Sequence, residues 1–239
     1  MLDEYAAGLL REGLEALGLD ASRADALGAY LDAVLEKNRV MNLTAVTDPA
    51  EAVRLHLLDC AALIPQRDFR DKSVIDVGCG AGLPGLPLRI LEPSIRLTLL
   101  DATEKKVAFL RETVEALALD GVTCMAGRAE ELSSAGQPLR ERIDIAVSRA
   151  VAALPVLCEL CLPFVKRGGF FCAMKAKNAE TELREAENAI RTLGGTLREC
   201  RPYTIPGTDA AHCAVWIEKT GFTPGPYPRR FSKIRQKPL

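Results

Sequence analysis

The chain has almost no excess of charge of either sign. Its 31 lysine and arginine residues face 32 aspartate and glutamate residues, which leaves a formal net charge of −1. Bulk charge therefore gives no indication of a nucleic-acid partner. The sequence also lacks an uncharged apolar run of the roughly 20 residues that a membrane helix needs, and its first residues lack the basic start of a signal peptide. We expect a soluble, cytoplasmic protein with no membrane partner.

Cysteine is too thinly spread to form a disulfide scaffold. Eight cysteines are scattered over 239 residues, and the only close pair is Cys158-x-x-Cys161. Because there is no second such pair, a four-cysteine zinc site has no framework, and we predict no metal. The pair lies in an apolar stretch, 150–165, that looks helical. Buried small side chains are therefore favoured over a redox pair.

Repeats and low-complexity segments are absent too, and 48% of the residues are apolar, enough for a sizeable core. Residues 1–70 read as helices. The first apolar stripe at helical spacing is Tyr5, Leu9, Leu10, Leu14 and Leu17. The second is Leu27, Leu31, Val34, Leu35 and Asn38, with Ser22 as its N-cap. A third helix is predicted over 49–63, with proline in its first turn.

After residue 70, short apolar strands alternate with helices. The predicted strands are 73–77, 95–100, 122–125, 143–147, 169–175, 197–203 and 211–219. This alternation predicts a Rossmann-like α/β fold with a mainly parallel seven-stranded sheet. The last connection is too short for a parallel crossover, so the last strand should be antiparallel. We divide the chain into an N-terminal helical extension (1–70), a Rossmann-like domain (71–219) and a basic C-terminal tail (220–239).

The tail contains four prolines, five basic residues and no acid. We predict that it lacks regular structure when free, and that its removal leaves the core closed. The residues predicted to bind RNA phosphates are Arg229, Arg230, Lys233, Arg235 and Lys237. Tyr227 and Phe231 lie among them and are predicted to stack on bases. The alternative is a solvated tail without a partner.

The most informative segment, 76–85, reads DVGCGAGLPG and follows a predicted strand directly. A strand that runs into glycines and then into a helix is typical of a nucleotide-cofactor site. One register, Gly80-x-Gly82-x-x-Gly85, fits the dinucleotide fingerprint, with Asp101 as the ribose partner. That register predicts an NAD(P)-dependent oxidoreductase, although the fingerprint should begin where the strand ends.

The other register, Gly78-x-Gly80-x-Gly82, does begin at the strand end. The carboxylate of Asp76 would then repel a pyrophosphate, but it suits the cationic amino-acid part of S-adenosylmethionine. Asp101 can bind both ribose hydroxyls of either cofactor. Three alternating glycines between two such acids favour a methyltransferase of class I.

The chain resembles a specific family, the small-subunit ribosomal RNA guanine-N7 methyltransferases, also called the glucose-inhibited division protein B family. The resemblance runs from Asn38 to the end of the sequence and is most diagnostic in the glycine loop, 76–87. The other matching stretches are Asn42-Leu-Thr44, Arg54-Leu-His56-Leu-Leu-Asp59, Leu99-Leu-Asp101, Arg128-Ala-Glu130-Glu131, Ser148-Arg149-Ala150 and the basic tail from Tyr227 to Pro238. The chain departs from the family at Cys60, where serine is usual, and at Ala176, where glycine is usual.

The resemblance implies that S-adenosylmethionine contacts Gly78, Leu83, Ala129, Glu130 and Arg149. Together with the loop argument, this gives one predicted cofactor-binding set. Its members are Asp76, Gly78, Gly80, Gly82, Leu83, Asp101, Ala102, Thr103, Ala129, Glu130 and Arg149. For Arg149 a surface ion pair is the alternative.

The resemblance also implies the reaction, methylation of N7 of one guanine in 16S ribosomal RNA. We expect a monomer, although the sequence leaves the oligomeric state open. Because N7 carries a free lone pair, we assign no catalytic base, and catalysis would depend on in-line positioning. Arg149 and Lys175 are candidates for positioning the substrate. His56 and Asp59 are interpreted as a pair on a helix surface, with a polar patch at the site as the alternative.

Two other functions remain open. A non-catalytic RNA-binding ribosome-assembly factor would keep the fold without turnover. The other is methylation of a small molecule or a protein, and the basic tail argues mildly against it.

Overall fold

The N-terminal third of the chain is helical in the computed structural model, which describes residues 2–176 and 179–239. Its helices are α1 (Glu4–Ala16), α2 (Ala24–Asn38), α3 (Pro49–Ala52) and α4 (Asp59–Ala61), with a π-helical segment, Val53–Leu58, joining the last two. The Asp48 side chain caps α3 by accepting from the backbone N–H of Glu51, 2.8 Å away, and proline occupies the first turn, as predicted.

One local prediction in this region was wrong. Ser22 does not cap α2, because it lies in a short 3₁₀ turn, Ala21–Arg23, that is capped by Asp20. Tyr5 is 63% exposed, whereas Leu10 and Leu14 of the same stripe are buried. Spacing alone does not show where the buried face of a helix ends.

The rest of the chain forms a seven-stranded sheet with order β3-β2-β1-β4-β5-β7-β6. The strands are β1 (Ser73–Val77), β2 (Arg96–Asp101), β3 (Val122–Ala126), β4 (Ile143–Arg149), β5 (Val165–Ala176), β6 (Gly195–Thr204) and β7 (Ala211–Lys219). β1 to β5 are parallel, and β7 runs antiparallel to both β5 and β6. The predicted fold class, including the antiparallel last strand, is confirmed.

The described residues contain six further α-helices: α5 (Gly85–Leu91), α6 (Glu104–Ala116), α7 (Ala129–Leu132), α8 (Leu154–Cys161), α9 (Ala179–Thr192) and α10 (Phe231–Gln236). In the described part of the chain, no helix is long and apolar enough to cross a membrane. The parallel registers pair Val77 with Leu100 and Asp76 with Val147, so the carboxyl ends of β1, β2 and β4 meet at one edge. In such folds, ligands bind at this edge.

The core has two parts. The first contains buried residues of α1, α2 and the π-helical segment together with Trp216 of β7 and Leu99 of β2. The N-terminal helices therefore share their core with the sheet, and the division of the chain into three segments stays a prediction. The second part contains buried residues of α8 and α9 together with Ile234 of α10.

The tail is structured, contrary to the prediction. It contains α10, and Ile234 is fully buried in the second core cluster. Burial of such a side chain contributes about 1.5–3 kcal/mol. The Arg140 guanidinium also donates to the carbonyl oxygens of Thr223 and Tyr227, at 2.8 and 2.9 Å. Removing the tail would therefore open the core, and the expectation that the core stays closed was wrong.

Candidate functional site

A cavity of about 290 Å³ opens at the carboxyl edge of the sheet, where the glycine loop follows β1. This volume is at the lower end of the range for ligand sites, about 300–1,000 Å³. Its lining residues are Val77, Gly78, Leu100, Asp101, Ala102, Lys106, Gly127, Arg128, Ala129, Glu130, Ala150, Val151, Leu160 and Phe231. Five residues of the predicted cofactor set belong to this lining: Gly78, Asp101, Ala102, Ala129 and Glu130.

Gly78 leaves room that a side chain would fill. Its φ is +74°, and a Cβ built on it would lie 2.7 Å from Cγ2 of Val151, which lines the same cavity. A residue with a side chain would therefore be strained at this position and would also narrow the cavity.

Asp101 shapes the loop that surrounds it. One carboxylate oxygen accepts from the backbone N–H of Gly80 at 3.0 Å, and the other accepts from Thr103 at 2.8 Å. Each oxygen keeps a lone pair for a further donor. Gly80 and Thr103 thus contact Asp101, and neither lines the cavity. Their predicted contact with the cofactor stays a prediction.

Gly82 and Leu83 face the protein interior. A Cβ on Gly82 would lie 2.7 Å from Leu86, and Leu83 belongs to the first core cluster. Neither residue lines the cavity. They position the loop by packing, and their cofactor contacts also stay predictions.

Asp76 lies behind the loop and is fully buried. Its Oδ2 accepts from the backbone N–H of Gly85 at 2.8 Å, and its Oδ1 has no hydrogen-bond partner among the described residues. Burial raises the pKa of Asp76 to about 7. A cationic group in the adjoining cavity would favour the ionised carboxylate. The orphaned oxygen and the space at Gly78 fit the amino-acid part of S-adenosylmethionine, but Asp76 does not line the cavity, so its contact with the cofactor stays a prediction.

A second polar cluster adjoins the cavity and centres on Asp59, whose side chain is 3% exposed. Its carboxylate accepts from Arg149 at 3.1 Å, from the Tyr203 hydroxyl at 2.7 Å and from Nδ1 of His212 at 2.9 Å. Burial works to raise the pKa of Asp59, but the hydrogen bond from His212 and the charge of Arg149 bring it below its usual value. Asp59 is therefore an ionised, fully partnered carboxylate.

His56 has a defined tautomer in this cluster. Its Nδ1 lies 3.3 Å from Arg149 Nη2, and because a guanidinium only donates, Nδ1 accepts. Its Nε2 then donates to the Thr44 hydroxyl, 2.7 Å away. Burial and the charge of Arg149 lower the pKa of His56, so the ring is neutral. The interpretation of His56 and Asp59 as a surface pair was wrong.

Arg149 is the last residue of β4, and its side chain is 16% exposed. Besides Asp59 and His56, it binds the carbonyl oxygen of Leu55 at 2.8 Å. The alternative of a surface ion pair was therefore wrong. The residues that follow it, Ala150 and Val151, line the cavity, but Arg149 does not. Its contact with the cofactor stays a prediction.

A comparison with known proteins identifies the family. The family model for rRNA small subunit methyltransferase G, GidB, matches residues 23–203. The chain belongs to this family. Ribosomal RNA small subunit methyltransferase G of Alkaliphilus metalliredigens is 42% identical over 97% of this chain and 98% of its own length. The same enzyme of Clostridium perfringens SM101 is 40% identical over the same shares.

Solved structures share the fold at lower identity. A SAM-dependent methyltransferase from Aquifex aeolicus has a TM-score of 0.52 at 16% identity, over 78% of this chain and 98% of that one. The [4+2]-cyclase SpnF has a TM-score of 0.54 at 16% identity, over 72% of this chain and 82% of that one. Since these two are named for different reactions, their likeness shows the fold alone.

Family membership decides between the two cofactors that the registers of the glycine loop predicted. The cofactor of this methyltransferase is S-adenosylmethionine, as the register that begins at Gly78 predicted, and the NAD(P)-dependent alternative was wrong. Gly85 has a structural explanation instead, because a Cβ there would lie 2.9 Å from Oδ2 of Asp76. Its place in the dinucleotide fingerprint reflects close packing of helix against strand.

Lys175, the other candidate for substrate positioning, is already partnered. Its ammonium lies 2.7 Å from a carboxylate oxygen of Glu182 and donates to the carbonyl oxygen of Ala152 at 2.8 Å. Glu182 also accepts from the backbone N–H of Leu154. Lys175 therefore fixes the segment that follows β4, and its contact with a substrate stays a prediction.

Cys158 and Cys161 are fully buried in α8, and burial raises the pKa of both thiols. The interpretation as small core side chains is confirmed. Within residues 2–176 and 179–239, no group of three or more histidine, cysteine or acidic side chains is arranged to hold a metal ion.

Sequence reasoning missed His212 and Tyr203 because both lie about 150 residues from Asp59 along the chain. One signal was present, since the sequence has only two histidines. Both belong to this cluster, His212 through Asp59 and His56 through Arg149.

Proposed function

We propose that the protein transfers a methyl group from S-adenosylmethionine to N7 of a guanine in 16S ribosomal RNA of the small subunit. The observation that carries the proposal is the juxtaposition at one sheet edge of the cavity around Asp101 and the polar cluster around Arg149, in a chain of this family. The cavity would hold the cofactor, and the cluster would face the nucleotide.

The arrangement is suited to transfer without a general base. The cofactor supplies an electrophilic methyl group, and guanine N7 offers its lone pair without losing a proton. His56 in the polar cluster uses its one acceptor nitrogen on Arg149, so its ring has no free lone pair with which to take up a proton. We therefore assign binding and orientation to the residues of the site, in keeping with in-line transfer without a covalent intermediate.

We place the target guanine against the polar cluster. In the described residues, the Thr44 hydroxyl accepts from His56 and from the backbone N–H of Val46, and no acceptor for its own proton is present. That proton is available to an acceptor on the base. Arg149 fixes the His56 ring, and Asp59 fixes Arg149, so the donor is preorganised.

Methyl transfer to small-subunit particles tests the proposal directly. With tritiated S-adenosylmethionine, we expect label in particles that lack the modification, in none that carry it, and at guanine N7 after digestion of the RNA. Binding of S-adenosylhomocysteine without label in any fraction would instead favour a non-catalytic assembly factor. Label confined to a protein or a small molecule would contradict the RNA substrate.

The cations within α10 and at its two ends supply the proposed RNA-binding surface. Arg230, Lys233, Arg235 and Lys237 are exposed, and none of them forms an ion pair with a described residue. Arg229 differs, because its guanidinium binds Glu159 at 2.6 Å. This geometry does not support the prediction that Arg229 binds phosphate, and we keep the other four.

Arg235→Ala should weaken RNA binding through lost phosphate contact. We expect the slope of log affinity against log salt to fall by about 0.7–0.9 for the one contact removed. The matched control is Arg96→Ala, at the exposed first residue of β2 on the opposite edge of the sheet, which should leave the slope unchanged. Equal slopes for both variants and the wild type would show that Arg235 of α10 does not contact RNA phosphate.

A further inference from the structure

Helix α10 follows the last strand of the sheet in the chain and yet reaches the cavity. Phe231, its first residue, lines the cavity together with Gly78, Asp101 and Glu130. The sequence predicted a base-stacking role for this ring. The structure instead places it at the site that the proposed function assigns to the cofactor.

Phe231 is held there by stacking on Arg128. The guanidinium carbon lies 4.3 Å from the ring centroid, within the range of a cation–π contact. Arg128 also donates to the Glu130 carboxylate at 3.1 Å, and Glu130 is only 9% exposed. The ring, the guanidinium and the carboxylate therefore form one continuous side of the cavity.

Two contacts fix the position of α10 on the domain. The backbone N–H and the guanidinium of Arg229 donate to Glu159, at 2.8 and 2.6 Å, and the Glu159 side chain is fully buried. Ile234 is fully buried on the same side. Because Arg229 and Ile234 flank Phe231, the ring is constrained from both directions along the chain.

Three exposed cations lie on α10 or directly before it. Arg230 precedes Phe231 directly, and Lys233 and Arg235 follow on the same short helix. One element thus contributes an aromatic wall to the cavity and a cationic face to solvent. A ligand that stabilises either face stabilises the docked position that presents the other.

We propose that α10 is a shared wall of the cofactor and RNA sites, and that Phe231 makes the two ligands bind cooperatively. This inference rests on the proposed function. S-adenosylmethionine packs against Phe231 and favours docked α10, and docked α10 presents its cations to phosphate. By linkage, RNA raises the affinity for the cofactor by the same factor.

Calorimetry with S-adenosylhomocysteine on the full chain tests the wall. We expect Phe231→Ala to weaken binding about tenfold, and Phe231→Leu, which keeps apolar bulk, to weaken it less. The matched control is Phe222→Ala, since Phe222 is 66% exposed and also lies over an arginine, Arg167, at 5.1 Å. Phe222 does not line the cavity, so its variant should bind as the wild type does.

A second measurement tests the coupling. The affinity of the wild type for small-subunit RNA is measured with and without saturating S-adenosylhomocysteine, and we expect it to be at least about fivefold tighter with the ligand. In Phe231→Ala, the ratio of the RNA affinities with and without S-adenosylhomocysteine should approach one. The far-UV circular dichroism of this variant should match that of the wild type.

The outcomes separate the inference from the proposed function. If the wild type binds S-adenosylhomocysteine and Phe231→Ala binds it equally well, the shared wall is refuted while the methyltransferase assignment stands. If S-adenosylhomocysteine raises the RNA affinity of the wild type and of Phe231→Ala by the same factor, the coupling is refuted. A wild type that binds no S-adenosylhomocysteine overturns both proposals. Should Phe231→Ala unfold, the Leu variant decides, because unaltered affinity there also refutes the wall.

Discussion

Gly78→Val should weaken binding of S-adenosylhomocysteine by at least about 100-fold, which corresponds to roughly 3 kcal/mol. The substitution places a β-branched residue at a φ of +74°, where such residues are rarely tolerated. It also fills the space in front of Val151, whose Cγ2 would lie 2.7 Å from the new Cβ. Both effects act at the cavity, so we expect titration calorimetry to show the loss while circular dichroism shows a retained fold.

Gly136→Val separates backbone strain from filling of the cavity. Gly136 also has a positive φ, +86°, but a Cβ there meets no heavy atom within 4 Å, and the residue does not line the cavity. We expect reduced thermal stability in this control and cofactor affinity like that of the wild type. Normal affinity in Gly78→Val would show that the glycine loop is not the cofactor site.

Arg149→Ala should reduce methyl transfer at saturating RNA by at least about 100-fold and also lower stability. Without its guanidinium, the Asp59 carboxylate keeps a buried charge with fewer partners, and breaking a buried pair in this way typically costs about 3–5 kcal/mol. The His56 ring loses the donor that defines its tautomer. Calorimetry on the same variant tests the predicted contact between Arg149 and the cofactor, because loss of that contact would weaken binding of S-adenosylhomocysteine.

The measurement is single-turnover transfer on small subunits, at a temperature where thermal melting shows the variant to be folded. Arg67→Ala is the control for lost packing. Its guanidinium pairs with Glu199 and lies over Phe170 and Trp216, and none of these four residues lines the cavity. We expect it to lower stability and leave turnover intact. Wild-type turnover in folded Arg149→Ala would exclude the polar cluster from the reaction.

The features that the sequence predicted well are local ones. The glycine loop and the strands that flank it are specified by neighbouring residues, so period and turn chemistry identify them. Strand ends were less accurate. β4 continues two residues beyond the predicted end, so that Arg149 lies in the strand, because pairing with Met174 of β5 extends it.

The features that the sequence could not predict depend on partners far along the chain. A proline-rich basic tail is typical of disorder. This tail is held in place because Arg229 binds Glu159, which is buried on α8. Likewise, a histidine three residues before an aspartate on a helix is typical of a solvated pair. Instead, Tyr203 of β6 and His212 of β7 bind Asp59 and make it the centre of a buried cluster.

These long-range contacts have a consequence for how the protein folds. The hydrogen bond between Asp59 and His212 closes a loop of 153 residues, and that between Gln66 and Trp216 spans 150. Chain entropy opposes such closures until much of the intervening sheet has formed, and folds rich in them are slow to assemble. The glycine loop, whose partners on β2 lie about 20 residues away, can form early. We therefore expect the polar cluster to be among the last parts of the molecule to reach its native arrangement.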